Sequence, residues 1–224
     1  MSETIDRQVI QLWLERLRTG SEPEQAQAAS ALSRLHIRTR GSVRTRGGLH
    51  YAAHSEFPAE LSQEAMRIVL AALQDKSVSV RRQVACAIGE WGDERAATTL
   101  QEMVVGDRRD PEEDVRRTVV AALGTIGGST AVKTLCQAAE DDPSEAVRYD
   151  ALAALTELVL LAQPGPTVGT QSVVRVRGAA VRPRPGIGEE AQRVVYTLQR
   201  IRDKASEKEP LRRMAEAALA PLVE

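Results

Sequence analysis

Arginine is the residue through which this chain of 224 residues could do chemistry. Arg38, Arg40, Arg44 and Arg46 fall in residues 36–57 with no acid before Glu56, and Arg175, Arg177, Arg182 and Arg184 fall in residues 163–188 with none at all. Guanidinium is a forked donor suited to phosphate or carboxylate, and the glycines of these stretches allow close backbone approach. Val43-Arg44-Thr45-Arg46-Gly47 and Val174-Arg175-Val176-Arg177-Gly178 share the pattern V-R-x-R-G, and Ile37 to Gly41 nearly repeats it. In extended chain the alternation puts the arginines on one side and Val or Thr on the other. Two such segments can pair as a β-ribbon across the molecule or stand as separate arms. Three roles stay open for them: solvated or self-docked loops, contacts to an acidic protein partner, and contacts to nucleic acid.

No other constellation is complete. The three histidines, His36, His50 and His54, all lie in the first Arg-rich stretch, and the four-residue spacing of His50 and His54 suits a metal only on a helix and with a third ligand. No GxSxG, no Cys beside a His and no phosphate-binding glycine loop occurs. The expectation is no catalytic residue, no metal and no cofactor. Cys86 and Cys136 sit in apolar helical patterns without ligand-like spacing and read as small core residues.

What must position the arginines is a repeated helix. VRRQVACAIGEWGD at Val80 to Asp93 is answered by VRRTVVAALGTIGG at Val115 to Gly128, and the segments beginning at Val147, Leu211 and Glu24 fit the same template. The leading arginines Arg81, Arg116, Arg148 and Arg212 follow one another at spacings of 35, 32 and 64 residues, the last including the second Arg-rich stretch. About 30 residues make two helices and two turns, so the chain reads as a stack of helical hairpins. Hairpins are expected at residues 3–36, 58–92, 94–127, 130–162 and 188–224, interrupted by insertions at 36–57 and 163–188, all in one domain. In the first, Ile5, Val9, Leu12, Trp13 and Leu17 form the expected buried stripe, and Ser21 with Glu24 a capping box.

Within the template, Val80, Val84, Ala87, Ile88 and Trp91 share a face, as do Val115, Val119, Ala122, Leu123 and Ile126. Gly89, Gly92, Gly124 and Gly127 suit tight helix contacts and left-handed helix ends. The leading arginines lie near helix starts that carry acids such as Asp75, Asp114 and Glu145, which predicts a ladder of Arg with Asp or Glu between repeats. The second arginines, Arg82, Arg117 and Arg213, lie one step round the helix, where they are candidates for an exposed inner surface. Trp91 stands where other copies hold an aliphatic residue and is read either as core or as a stacking platform.

The composition fits: aromatics are 3% and the net charge is −1, against a uniformly basic nucleic-acid binder or an acidic disordered chain. Residues 76–163 hold 15 acids and 10 bases, opposite in sign to the insertions. The N-terminus has no apolar core and the longest apolar run, Ala151 to Ala162, contains Glu157 and is too short for a bilayer, so a cytoplasmic protein is expected.

The repeated residues resemble the HEAT-repeat family, in particular the short subtype named after phycobilisome lyases, with units of the form D-x-x-V-R-x-x-A-x-x-A-L-G-x-I-G-D. DKSVSVRRQVACAIGEWGD and DPEEDVRRTVVAALGTIGG match closely, VRYDALAALTEL lacks the glycines, and the first copy has Glu24-Gln25 in place of V-R. The resemblance implies an all-α, right-handed solenoid of about five hairpins. It also implies a non-catalytic scaffold for a protein partner, using a concave helical surface and the Arg-rich arms. The alternatives are a nucleic-acid-binding protein working through the insertions and a bilin-lyase-like or chaperone factor.

Overall fold

The structure is a computed structural model that describes residues 7–39, 44–45, 48–49, 59–161, 174–176, 179–181, 188–204 and 209–220. Ten α-helices are found among them: α1 (Arg7–Thr19), α2 (Glu22–Thr39), α3 (Ala59–Ala72), α4 (Val78–Trp91), α5 (Ala97–Val104), α6 (Glu113–Ile126), α7 (Gly128–Asp141), α8 (Glu145–Leu161), α9 (Gly188–Asp203) and α10 (Glu209–Leu219). They form an α-solenoid. The even-numbered helices pack on one another in sequence, α2 on α4, α4 on α6, α6 on α8 and α8 on α10, while α1 meets α3, α5 meets α7 and α7 meets α9 in a second layer.

Apolar spacing makes the layers adhere. Val80, Val84, Ala87, Ile88 and Trp91 are all buried, and so are Val115, Val119, Ala122 and Leu123. One cluster of buried side chains runs from Ile10 to Leu219 without a break between hairpins. Each buried Leu, Ile or Val contributes about 1.5–3 kcal/mol, which a single hairpin cannot collect because its second face needs a neighbour.

Glycine sets how close the even helices come. A Cβ on Gly89 would lie 2.9 Å from both Cα and Cβ of Ala122, and one on Gly124 would lie 2.9 Å from Cβ of Ala154. Gly92 ends α4 in the left-handed region with φ 61°, donating to the carbonyls of Gly89 and Ile88. At the start of α2, Ser21 N donates to Glu24 Oε2 at 2.8 Å, the Glu24 half of the expected capping box, while Ser21 Oγ donates to the same oxygen at 2.6 Å. These hydrogen bonds hold the Glu24 carboxyl below its ordinary range.

Four details differ from the sequence reading. In α1 the buried stripe is Ile10, Leu14 and Leu17, while Val9 and Leu12 are exposed and Trp13 only half-buried; the helix carries two apolar stripes, and packing against α2 and α3 selects one. Helix α2 runs on to Thr39, into the region expected as insertion, because no glycine intervenes before Gly41. Cys86 is exposed on α4 rather than core, whereas Cys136 is buried as expected. Finally, the insertion strands do not pair with each other: β1 (Arg44–Thr45) pairs with β2 (Gly48–Leu49), and β3 (Val174–Val176) with β4 (Ala179–Val181), both antiparallel. The registers Thr45↔Gly48 and Val176↔Ala179 leave an Arg-Gly dipeptide between the strands in each case. Each V-R-x-R-G motif thus supplies the first strand of an antiparallel pair, Arg44–Thr45 or Val174–Val176, and the Arg-Gly that follows in sequence is a pair of the kind short hairpin connections favour.

Candidate functional site

The turns that lead into α4, α6 and α8 each hold an aspartate six residues before the leading arginine: Asp75 before Arg81, Asp110 before Arg116, Asp142 before Arg148. The carboxylate closes its own turn by accepting the N–H two residues on, from Ser77, Glu112 and Ser144 respectively, at 2.8–2.9 Å. It then accepts from the preceding repeat. Arg81 Nε and Nη2 donate to Asp110 at 2.6 and 3.0 Å, and Arg116 Nε and Nη2 donate to Asp142 at 2.9 and 3.0 Å. The third nitrogen of each arginine turns back to its own turn, Arg81 Nη1 to the Asp75 carbonyl and Arg116 Nη1 to the Asp110 carbonyl, as Arg148 Nη1 does to Asp142. The ladder expected between repeats exists, with the turn residues Asp110 and Asp142 as partners of Arg81 and Arg116 rather than Asp114 or Glu145.

The first copy shows why V-R could be dispensed with. Gln25 Nε2 donates to the Leu17 carbonyl at 3.1 Å and to Asp75 Oδ2 at 3.2 Å, taking both of the arginine's roles with a neutral amide. The Arg116–Asp142 pair is almost dry, with side chains 6% and 0% exposed. Hydrogen bonding to Asp110 holds the Arg81 guanidinium above its ordinary range against the opposing effect of burial. From Arg81 to Asp142 the ladder spans repeats and is shielded from solvent, and it has a packing role; at its end the buried Nε atom of Arg148 makes no hydrogen bond.

One residue further on, the chain emerges. Arg82 on α4, Arg117 on α6, Tyr149 on α8 and Arg213 on α10 occupy equivalent positions of VRR, VRR, VRY and LRR, and all four are exposed. They form a row across the even layer. Cys86, Ala121 and Ala217 continue the exposed surface one turn along α4, α6 and α10. Arg117 is not a free cation: its Nε lies 2.7 Å from Asp150 Oδ2, whose hydrogen bond and charge raise its pKa. In α6 the place of Asp150 is taken by Thr118, and among the described residues Arg82 enters no ion pair.

Between α6 and α8 the row opens into a groove of about 560 Å³, lined among others by Glu113, Arg117, Glu145, Tyr149 and Asp150. Tyr149 is 44% exposed there. In the other layer, a groove of about 380 Å³ at α7 and α9 is already furnished by the protein: Arg200 pairs with Glu140 at 2.7 Å and lies over the Tyr196 ring, 5.8 Å from its centroid.

Of the candidate residues named from the sequence, Arg82 and Arg117 lie on this surface. Trp91 does not. It is 6% exposed, and its indole N–H donates to the Leu32 carbonyl at 3.4 Å, so the stacking-platform reading gives way to core. Arg38 falls in α2, Arg44 in β1 and Arg175 in β3. Arg40, Arg46, Arg177, Arg182 and Arg184 lie outside the described residues, as do His50 and His54. Tyr149 was missed because its type differs from the arginines it replaces, although its position in the template marks it. Among the described residues no group of three or more His, Cys, Asp or Glu could hold a metal ion, and no helix is long and apolar enough to cross a membrane.

Residues 66–156 match the family model for HEAT repeats. No curated protein matches the chain. Among solved structures, it is similar to a designed armadillo repeat protein in complex with peptide (KR)4, with 16% identity over 95% of this chain and 81% of that one and a TM-score of 0.52. An engineered protein aligns at 14% identity over 94% of this chain and 78% of that one, TM-score 0.51. The archaeal HEAT-like repeats protein from Thermococcus onnurineus NA1 aligns at 13% identity over 95% and 86%, TM-score 0.44.

Proposed function

Starting from the premise that residues 66–156 are HEAT repeats, we propose that this chain is a non-catalytic scaffold that holds a protein partner on the exposed side of its even helices. The observation that carries this reading is the row Arg82, Arg117, Tyr149 and Arg213, at one register on the four even helices α4 to α10 and left exposed while the arginines beside it are used in packing. Gly89 brings α4 close to α6 and Gly124 brings α6 close to α8, which supports reading the even layer as the concave side that takes the partner. A designed solenoid of similar fold was solved with a peptide bound, a precedent for a peptide-like partner.

Arg44 and Arg175, from the two Arg-rich insertions, are proposed as additional, electrostatically steering contacts. Site-specific cross-linking tests the reading: a photoreactive residue at position 121, on the exposed side of α6, should trap a partner in the native host. The same residue at position 102, exposed on α5, should not. Trapping from 102 alone, or from neither, contradicts the proposal. The eight acid-free insertion arginines favour nucleic acid as a second reading, and it predicts affinity that falls with salt at a slope of up to about 0.9 per phosphate contact. Salt-insensitive or absent DNA and RNA binding removes it.

A further inference from the structure

Four aromatic side chains are described in this protein, and three have their partners within it. Trp91 is core. Trp13 holds the guanidinium of Arg16 5.1 Å from its ring centroid, and Tyr196 holds that of Arg200 at 5.8 Å. The fourth, Tyr149, lies 44% exposed in the groove between α6 and α8 and carries no cation among the described residues. The groove is lined by three acids, Glu113, Glu145 and Asp150, and one base, Arg117, a net charge of −2. The N-termini of α6 and α8 each add about half a positive charge, which leaves the groove negative. Arg117, the one base of the lining, is already paired with Asp150 at 2.7 Å.

We infer that this groove is a socket for one cationic side chain, Arg or Lys, presented by the protein partner on the even helix layer, with the ring of Tyr149 as its floor and Glu113 and Glu145 as its rim. The inference rests on the scaffold reading and adds the chemistry of the occupant. A cation over a tyrosine face gains about 0.5–2 kcal/mol, and the carboxylates draw it in at low salt. Arg82, one repeat along and lacking the aspartate that clamps Arg117, marks the end of the negative region and suits an acidic residue of the same partner. Neighbouring helices are spaced about 8–10 Å apart, so α4 and α8 are separated by about six residues of extended chain.

The test is fluorescence anisotropy of two labelled octapeptides on the full chain at low ionic strength, one alternating Lys with Arg and one alternating Glu with Ser. The basic octapeptide should bind more tightly. Tyr149→Ala should weaken it about 2–30-fold, the fold-change of the ring contact, while Tyr149→Phe retains it. Glu113→Gln combined with Glu145→Gln should weaken it and flatten its salt dependence, and Arg117→Gln should strengthen it by leaving Asp150 to the ligand. Glu113, Arg117 and Tyr149 are exposed and Glu145 is half-buried, and unchanged thermal melting accompanies each effect. The socket is overturned if the basic octapeptide does not bind, if Tyr149→Ala leaves its affinity unchanged, or if Arg117→Gln weakens it. A gain of affinity on replacing Arg175, Arg177, Arg182 and Arg184 by Ala would put the chain's own insertion in the socket and overturn a partner as its occupant. Preference for the acidic octapeptide, lost on Arg82→Ala, would sink the socket while leaving the scaffold standing, whereas failure of cross-linking from position 121 sinks the scaffold itself.

Discussion

Arg116 and Arg117 follow one another in α6, yet their side chains leave the helix about 100° apart, and the two meet different worlds. Arg116 reaches under the repeat boundary to a carboxylate that is 0% exposed, and its remaining nitrogen is held by the Asp110 carbonyl. Arg117 also finds an aspartate, Asp150, but in a pair whose members are 44% and 30% exposed. The same contrast separates Arg81 from Arg82. Residue type therefore says little about role in this chain; the angle round the helix says most of it. A buried bidentate pair fixes the register of adjacent repeats, while its neighbour one residue on remains available to a partner.

The largest predicted difference between the two regions lies in their aspartates. Asp142→Ala strands the Arg116 guanidinium in a dry site and removes the acceptor for Ser144 N–H, which should cost about 3–5 kcal/mol in chemical denaturation. Asp150→Ala breaks an exposed pair and should cost no more than about 1 kcal/mol. Equal costs would erase the distinction between ladder and row. Next in size is Gly89→Ala. Its new Cβ would press on the backbone of Ala122, so a loss of about 1–3 kcal/mol is expected; Cys86→Ala, on the exposed side of the same helix, should be close to neutral. The smallest effect is chemical rather than energetic. Desolvation pushes the thiols of both Cys86 and Cys136 upward, so alkylation of either is slow at neutral pH and accelerates as pH rises. Cys86 should still react first because it is exposed, and Cys136 only on unfolding. A bound partner on the even layer should slow Cys86 alone.

The architecture was readable in the chain because the repeat states it several times. Gly89 and Gly124 could be assigned to close helix contacts from their place in the template, and each faces an alanine on the next even helix, Ala122 and Ala154. The ladder was half readable. Its arginines stood out, but Asp110 and Asp142 lie 29 and 26 residues from the arginines they accept from, and only their fixed place six residues before the next leading arginine betrays them. Helix α1 was misread because Val9–Leu12 and Ile10–Leu14 are both plausible apolar stripes, and amphipathicity cannot choose between two faces that neighbours have yet to cover. Cys86 failed for a related reason: its apolar neighbours in sequence belong to the faces on either side of it. Tyr149 shows the reverse case, since the template fixed its position while its type concealed the equivalence.

Thermal melting of Arg116→Ala beside Arg117→Gln, each with its binding to the partner trapped from position 121, tests the central claim most directly. Arg116→Ala should lower Tm by roughly 6–20 °C, the equivalent of a broken buried pair in a chain of this size. Arg117→Gln should leave Tm within about 4 °C and change partner affinity. A Tm loss of the same size for both, or an Arg117→Gln variant that binds its partner as the unaltered chain does, would contradict the division of labour between these two adjacent arginines.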